Sequence, residues 1–252
     1  MRTLVVIPAR LAAVRLPGKP LRLLAGLPLI VRVWQRLAEM RVADRCVVAT
    51  DDESVARTVR DAGAECVMTG SQHTSGTERV AEVAEMAEFA AFETIVNVQG
   101  DEPFIGAGAV LGAAGLVSSG KFPLGTAAVH ASADSMDTPG VVKAVAADDG
   151  RAMYFSRAGI PFLRDPAEAE IRMQRALHHL GVYAYSREAL RKWVTLPPHP
   201  LELIEKLEQL RPLAAGIPMG IAVVDEPAAS GIDTEEDLLR ANARWDAFIA
   251  GR

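Results

Sequence analysis

Short, unbroken apolar runs bounded by turn residues recur along this chain, at Thr3 to Ile7, Cys46 to Ala49, Glu65 to Met68, Thr94 to Val98, Gly125 to Val129 and Val141 to Val145. Between the early runs lie stretches of helical period, Leu29 to Met40, Ser54 to Ala62, Glu78 to Phe89 and Val110 to Val117. An apolar run that does not alternate with polar residues suits a strand covered on both faces, because every side chain then meets the interior. Strands of that kind alternating with helices predict βαβ units. The expected fold class is therefore α/β, a doubly wound and mainly parallel sheet.

A chain of 252 residues that is 50% hydrophobic can bury a full core. No repeat, low-complexity tract or linker divides it, so a single domain over residues 1–252 is expected. Basic residues number 27 and acidic ones 32, a formal charge of −5, so no overall field draws nucleic acid or an anionic membrane. An anionic ligand must be held by a local cluster instead. Cys46 and Cys66 lie in apolar runs without metal-ligand spacing and are read as buried thiols. The opening MRTLVVIPAR has too short an apolar run for a signal peptide, and no stretch reaches the roughly 20 apolar residues of a membrane span, so a cytoplasmic protein is expected.

Beyond Gly150 the rhythm changes. Tyr154 to Arg175 mixes prolines, arginines and acids, which reads as a small excursion over roughly 150–178, serving as a lid or a dimer contact. His179 to Tyr185 is expected to be a further strand, and LELIEKLEQL, Leu201 to Leu210, an amphipathic helix. A closing helix over Thr234 to Phe248 begins on a capping-box pattern, Thr234 followed by Asp237.

The loop after the first strand reads PARLAAVRLPGKP. Arg10, Arg15 and Lys19 punctuate an otherwise apolar segment, while Pro17 and Gly18 stiffen it and then permit a tight turn. In open α/β sheets ligands settle at the carboxyl ends of the strands, where this loop should lie. Guanidinium binds phosphate oxygens through paired hydrogen bonds and lysine acts as a point charge, so the loop suits a polyphosphate. It is not a Walker loop, since Ala13 and Pro20 stand where Gly and Ser or Thr are needed, and no G-x-G-x-x-G follows the strand.

Two acidic signatures could complete such a site. NVQGDEP, Asn97 to Pro103, puts Asp101 at a strand end, with Gly100 allowing close approach of the backbone; SGIDTEEDL puts Asp233 just ahead of the closing helix. Magnesium takes one or two carboxylates together with waters and substrate phosphates, so two aspartates over a triphosphate make chemical sense. Either Asp233 or Thr234 could equally be the helix cap.

Taken together, Pro8-Ala9-Arg10 with Arg15 to Pro20, Ser75 to Arg79, Val98 to Pro103, Tyr154 to Arg157 with Ile160-Pro161, His179 to Tyr183, Leu207 to Arg211 and Gly231 to Thr234 resemble the 3-deoxy-manno-octulosonate cytidylyltransferase family, the CMP-Kdo synthetases, nearly end to end. The resemblance implies a nucleotide-diphospho-sugar transferase fold, a homodimer, CTP, Mg²⁺, and transfer of CMP to the sugar acid Kdo for lipopolysaccharide synthesis. It implies that Arg10, Arg15 and Lys19 hold the triphosphate, that Pro8, Ser75 and Gly76 lie near the nucleoside, and that Asp101 and Asp233 bind metal. By the same carry-over Gln99, Arg157, His179, Tyr183, Glu208 and Gln209 form the sugar-acid pocket. Arg10, Lys19, Asp101 and Asp233 are the expected catalytic residues.

One departure stands out. Between its two arginines the family commonly has tyrosine, serine and threonine, whereas this chain has Leu11-Ala12-Ala13-Val14. Loss of a hydroxyl on a charged phosphate costs about 1.5–3 kcal/mol unless backbone N–H or water replaces it, so weaker CTP binding is expected. The rival readings are a cytidylyltransferase for 8-amino-Kdo or an acylneuraminate-type acid, and a noncatalytic nucleotide-binding protein.

Overall fold

The structure is a computed structural model that describes residues 1–12, 15–228 and 231–250. These residues gather into two compact units. The first holds the described residues within 2–92, 97–107 and 231–250, and the second holds most of the remainder.

In the first unit, strand β1 (Thr3–Ala9) leads into a loop and a short hairpin, β2 (Leu23–Leu24) and β3 (Leu27–Pro28). Helix α1 (Leu29–Met40), strand β4 (Arg45–Thr50), helix α2 (Glu53–Asp61), strand β5 (Glu65–Met68) and helix α3 (Gly76–Glu85) follow. β4 pairs in parallel with both β1 and β5. The centre of β1, Leu4 to Ile7, is wholly buried, as its unbroken apolar run requires. α1 places Ile30, Val33 and Leu37 inside, on a single face. Asp52 caps α2 by accepting from the N–H groups of Ser54 and Val55.

A closing helix, Glu235–Ala250, belongs to this unit too. Trp245 and Phe248 pack against Phe104, and the Arg244 guanidinium lies 3.8 Å from the centre of the Phe104 ring. This aromatic cluster holds the helix to the 97–107 segment.

The second unit contains β6 (Thr94–Asn97), α4 (Ala107–Ser118), β7 (Leu124–His130), α5 (Ala133–Met136), β8 (Lys143–Ala146), β9 (Ala152–Ser156), α6 (Ala169–Arg175), β10 (Leu177–Ser186), α7 (Arg187–Thr195), α8 (Pro200–Glu205), α9 (Leu210–Ala214) and β11 (Met219–Val223). Its strands run in the order β11, β7, β10, β6. β11 is parallel to β7, while β10 runs antiparallel to β7 and β8, and β8 to β9. The sheet is thus mixed, with parallel pairing where βα units repeat.

Two local expectations are corrected. The 150–178 segment opens on a strand, β9, and later forms α6; the irregular stretch is confined to the residues between them. Leu201 to Leu210 is not one helix. Lys206 takes a left-handed conformation, φ 55°, which ends α8. The Arg211 guanidinium then grips both oxygens of Glu202, folding α9 back on α8. Residues 207–209 become a turn, and Gln209 is 2% exposed where a helix face would have put it in solvent.

Candidate active site

The loop after β1 is pinned by its apolar residues. Leu16 is buried to 1% exposure and Pro20 is buried, while Gly18 adopts φ 66° and lets Lys19 N–H close a turn on the Leu16 carbonyl at 3.1 Å. Lys19 is thereby aimed inward. Ala13 and Val14, the residues of the departure noted above, lie outside the described residues.

Asp101 and Asp233 are brought together by the backbone. The Ile232 N–H donates to the Asp101 carbonyl at 2.9 Å, with the Ile232 side chain buried. The question of the cap is settled by Thr234 and Asp237: Asp237 N–H donates to Thr234 Oγ1 at 3.2 Å, and Asp237 Oδ2 accepts from Thr234 N–H at 2.9 Å. Asp233 is thus not consumed as the cap, and its carboxylate meets Lys19 Nζ at 2.8 Å and Arg15 Nη2 at 3.0 Å. Lys19 Nζ donates to Asp101 Oδ2 as well. Burial alone would lower the Lys19 ammonium pKa, but the two carboxylates outweigh it and raise the value.

These groups line a cavity of about 360 Å³. Pro8, Arg10, Arg15, Lys19, Ser75, Gly76, Asp101 and Asp233, expected from sequence at the nucleotide and its metal, share its wall with Gln99, expected at the sugar acid. Ser75 caps α3 by accepting from Glu78 N–H at 3.3 Å, and Gly76 sits so near Pro8 and Gln99 that a Cβ there would come within 3.2 Å of each. Gly100 is tighter still, since a Cβ would lie 2.9 Å from the Pro8 carbonyl oxygen. Among the described residues Arg10 donates to the Thr74 carbonyl alone, at 3.5 Å, and remains exposed.

Sequence reasoning overlooked Glu102. Its Oε2 is buried, and burial, followed by the charges of Asp101 and Asp233, pushes its carboxyl well above the usual range. His73 and Arg79 also line the cavity and were not singled out. No local signal marks Glu102, because its burial depends on residues 231–233 arriving from the far end of the chain.

A protein-family model for cytidylyltransferases matches residues 4–221. A 3-deoxy-manno-octulosonate cytidylyltransferase from Gemmatimonas aurantiaca is 56% identical over 250 residues, covering 99% of this chain and 96% of the relative. This chain belongs to the 3-deoxy-manno-octulosonate cytidylyltransferase family. A solved structure of CMP:2-keto-3-deoxy-manno-octonic acid synthetase complexed with CTP matches it with a TM-score of 0.88 and 35% identity, over 98% of this chain and 99% of that one. A 4-diphosphocytidyl-2C-methyl-D-erythritol synthase from Anaerococcus prevotii shares the fold at 14% identity, with a TM-score of 0.63 over 97% and 98% of the chains.

The remaining residues that the resemblance to this cytidylyltransferase family marked for a sugar acid lie in the second unit. His179 is buried in β10, where a register shift between His179 and Tyr183 and a left-handed Gly181 bulge the strand. Thr126 Oγ1 lies 2.7 Å from His179 Nε2 and donates its proton to the Val182 carbonyl at 2.6 Å. A hydroxyl has one proton, so His179 must donate from Nε2. Burial pushes the imidazole down to about 3, which keeps it neutral. The Tyr183 ring lies tilted to it with centroids 5.4 Å apart, and burial, the Tyr185 phenol and the Glu208 charge hold the Tyr183 phenol well above its usual range. Gln209 Nε2 is buried without a hydrogen-bond partner among the described residues. Arg157 is spent on the backbone, donating to the carbonyls of Glu205 at 2.8 Å and Pro139 at 3.1 Å. Glu205, which the sequence reading did not single out, accepts from Ser156 Oγ and Arg157 N–H.

Among the described residues no helix is long and apolar enough to cross a membrane.

Proposed function

We propose that this protein transfers CMP from CTP to the anomeric hydroxyl of 3-deoxy-D-manno-octulosonate, releasing pyrophosphate and giving CMP-Kdo for lipopolysaccharide synthesis. The observation that carries this reading is the convergence of Asp101 and Asp233 on one cation, Lys19 Nζ, in the wall of the cavity. Two carboxylates aimed at a single centre of positive charge, with no thiolate or imidazole among them, fit magnesium, and Asp101 and Asp233 would hold it. Bound magnesium supplies charge neutralisation at the α-phosphate and a lower pKa for the attacking hydroxyl.

The chain's own part is positioning and electrostatics. Arg10, Arg15 and Lys19 take the leaving pyrophosphate, whose charge grows as the bond to the α-phosphorus breaks. Pro8 and Gly76 let the nucleoside lie against the backbone, with Ser75 beside them. For the sugar acid the candidates are Gln99 in the first unit and His179, Tyr183, Glu208 and Gln209 in the second. His179 offers Nδ1 as an acceptor for a sugar hydroxyl, and the unpaired Gln209 amide awaits an oxygen. Arg157 acts by shaping the loop around Glu205.

The enzyme acts in the cytoplasm as a homodimer, with exposed Phe162, Ile171 and Ile204 supplying apolar surface for the partner. Incubation with CTP, Mg²⁺ and a panel of Kdo, 8-amino-Kdo and an acylneuraminate, read as pyrophosphate release, tests the reaction. Release with Kdo is expected. Silence with every acid would reject it in favour of a binding protein, and light scattering checks the dimer.

A further inference from the structure

His73 lines the same cavity as Lys19 and Asp101, and the mechanism above leaves it unused. Its Nε2 meets a carboxylate oxygen of Glu82, and that carboxylate also accepts from Gly70 N–H at 3.0 and 3.2 Å. Burial alone would raise the Glu82 carboxyl, but the hydrogen bonds from His73 and Gly70 and the charge of nearby Arg79 hold the group below its usual range. An ionised carboxylate can only accept, so the ring proton sits on Nε2. In the neutral ring Nδ1 is then a bare acceptor, and no hydrogen bond engages it among the described residues.

Arg79, on the same wall, is already committed. It is 3% exposed, pairs with Asp51 at 3.1 Å and donates to Thr69 Oγ1. Arg15, Lys19, Asp101 and Asp233 are joined to one another, whereas His73 belongs to a separate bonded group that runs into α3. The cation cluster takes the phosphates, which leaves the base for the His73 wall.

We propose that His73 reads the nucleobase, its Nδ1 accepting from the exocyclic amine of cytosine. Uracil carries a carbonyl oxygen at that place, so two acceptors would face each other and a uracil nucleotide is refused. The inference rests on the nucleotidyl-transfer reading and adds to it the group that selects the base.

Calorimetric titration of CTP and UTP, with Mg²⁺, into wild type, His73→Phe and His73→Asn tests this without needing turnover. Wild type is expected to prefer CTP by at least about tenfold. His73→Phe is expected to shrink that preference at least about tenfold by weakening CTP, and His73→Asn, which keeps a side-chain acceptor, to recover part of it. A preference in His73→Phe within about twofold of wild type overturns the proposal. Should that variant fail to fold, ¹⁵N NMR of wild type decides: the His73 Nδ1 resonance moves upfield with CTP and not with UTP, and an unmoved resonance with CTP bound refutes the assignment. Selective CTP binding without pyrophosphate release from any sugar acid would sink the transfer reading and support this one.

Discussion

Lys19 Nζ stands 2.8 Å from Asp233 Oδ1 although the two residues are 214 positions apart, and the same ammonium bonds Asp101. The lysine side chain is only 15% exposed, so this is a charge cluster with limited access to water rather than a surface pair of little consequence. Replacing Lys19 with Ala removes one of the cations proposed for the phosphates and leaves two carboxylates facing each other. The KM for CTP is expected to rise at least about tenfold, as for the loss of a charge-assisted hydrogen bond. Steady-state kinetics with CTP varied checks this, and an unchanged KM and kcat would refute the phosphate role.

Asp101→Asn keeps the shape of the side chain and removes its charge. Turnover at saturating CTP and Mg²⁺ is expected to fall at least about a hundredfold, the scale of losing one preorganised electrostatic group. Near wild-type turnover would end its assignment as a metal ligand.

Glu102 carries a raised pKa, so folding must hold a proton that the unfolded chain releases above about pH 4.5. Its contribution to stability is therefore fully present below that pH and is lost as pH rises toward the folded value. Glu102→Gln escapes this loss. Thermal melts should show the variant gaining on wild type as pH rises above about 4.5, with the gap closed near pH 4; a gap that does not change with pH would contradict the raised carboxyl pKa.

His179 shifts in the opposite direction for a base. Its folded value of about 3 lies below the ordinary 6.5, so its contribution is present above pH 6.5 and lost as pH falls. Between pH 7 and 4.5 wild type is expected to lose about 2–3 kcal/mol more than His179→Gln, a little under two pH units of linkage at 1.36 kcal/mol each. Urea unfolding at the two pH values measures it.

Gly100→Ala drives a methyl to within 2.9 Å of the Pro8 carbonyl oxygen, which belongs to a strand and cannot swing aside. A destabilisation of about 1–3 kcal/mol is expected, with weaker CTP binding because Pro8 and Asp101 shift together. The urea midpoint and a CTP titration report the two effects.

Much of the fold is legible in local pattern. The apolar runs at Thr3, Cys46, Glu65, Thr94 and Gly125 all became strands, and those at Thr3, Thr94 and Gly125 are buried on both faces as an unbroken apolar run requires. The turn at Pro17-Gly18 followed from the only residues that fit it. The split of Leu201 to Leu210 at Lys206 was not legible, since its amphipathic period continues unbroken and only the Arg211–Glu202 pair reveals the fold-back. Strand direction in the second unit was equally hidden, because a run of buried residues reads the same in either sense.

The sequence by itself determined the α/β class, the cationic loop from Arg10 to Lys19 and the two acidic turns that hold Asp101 and Asp233, since each is written in contiguous residues with a local physical reason. Tertiary structure alone decided that Thr234 caps the closing helix while Asp233 turns to Lys19, that the buried Glu102 carboxyl is held well above its usual pKa, and that Glu82 fixes the ring of His73. Those choices depend on distance and desolvation between residues far apart in the chain, quantities that no local spacing encodes.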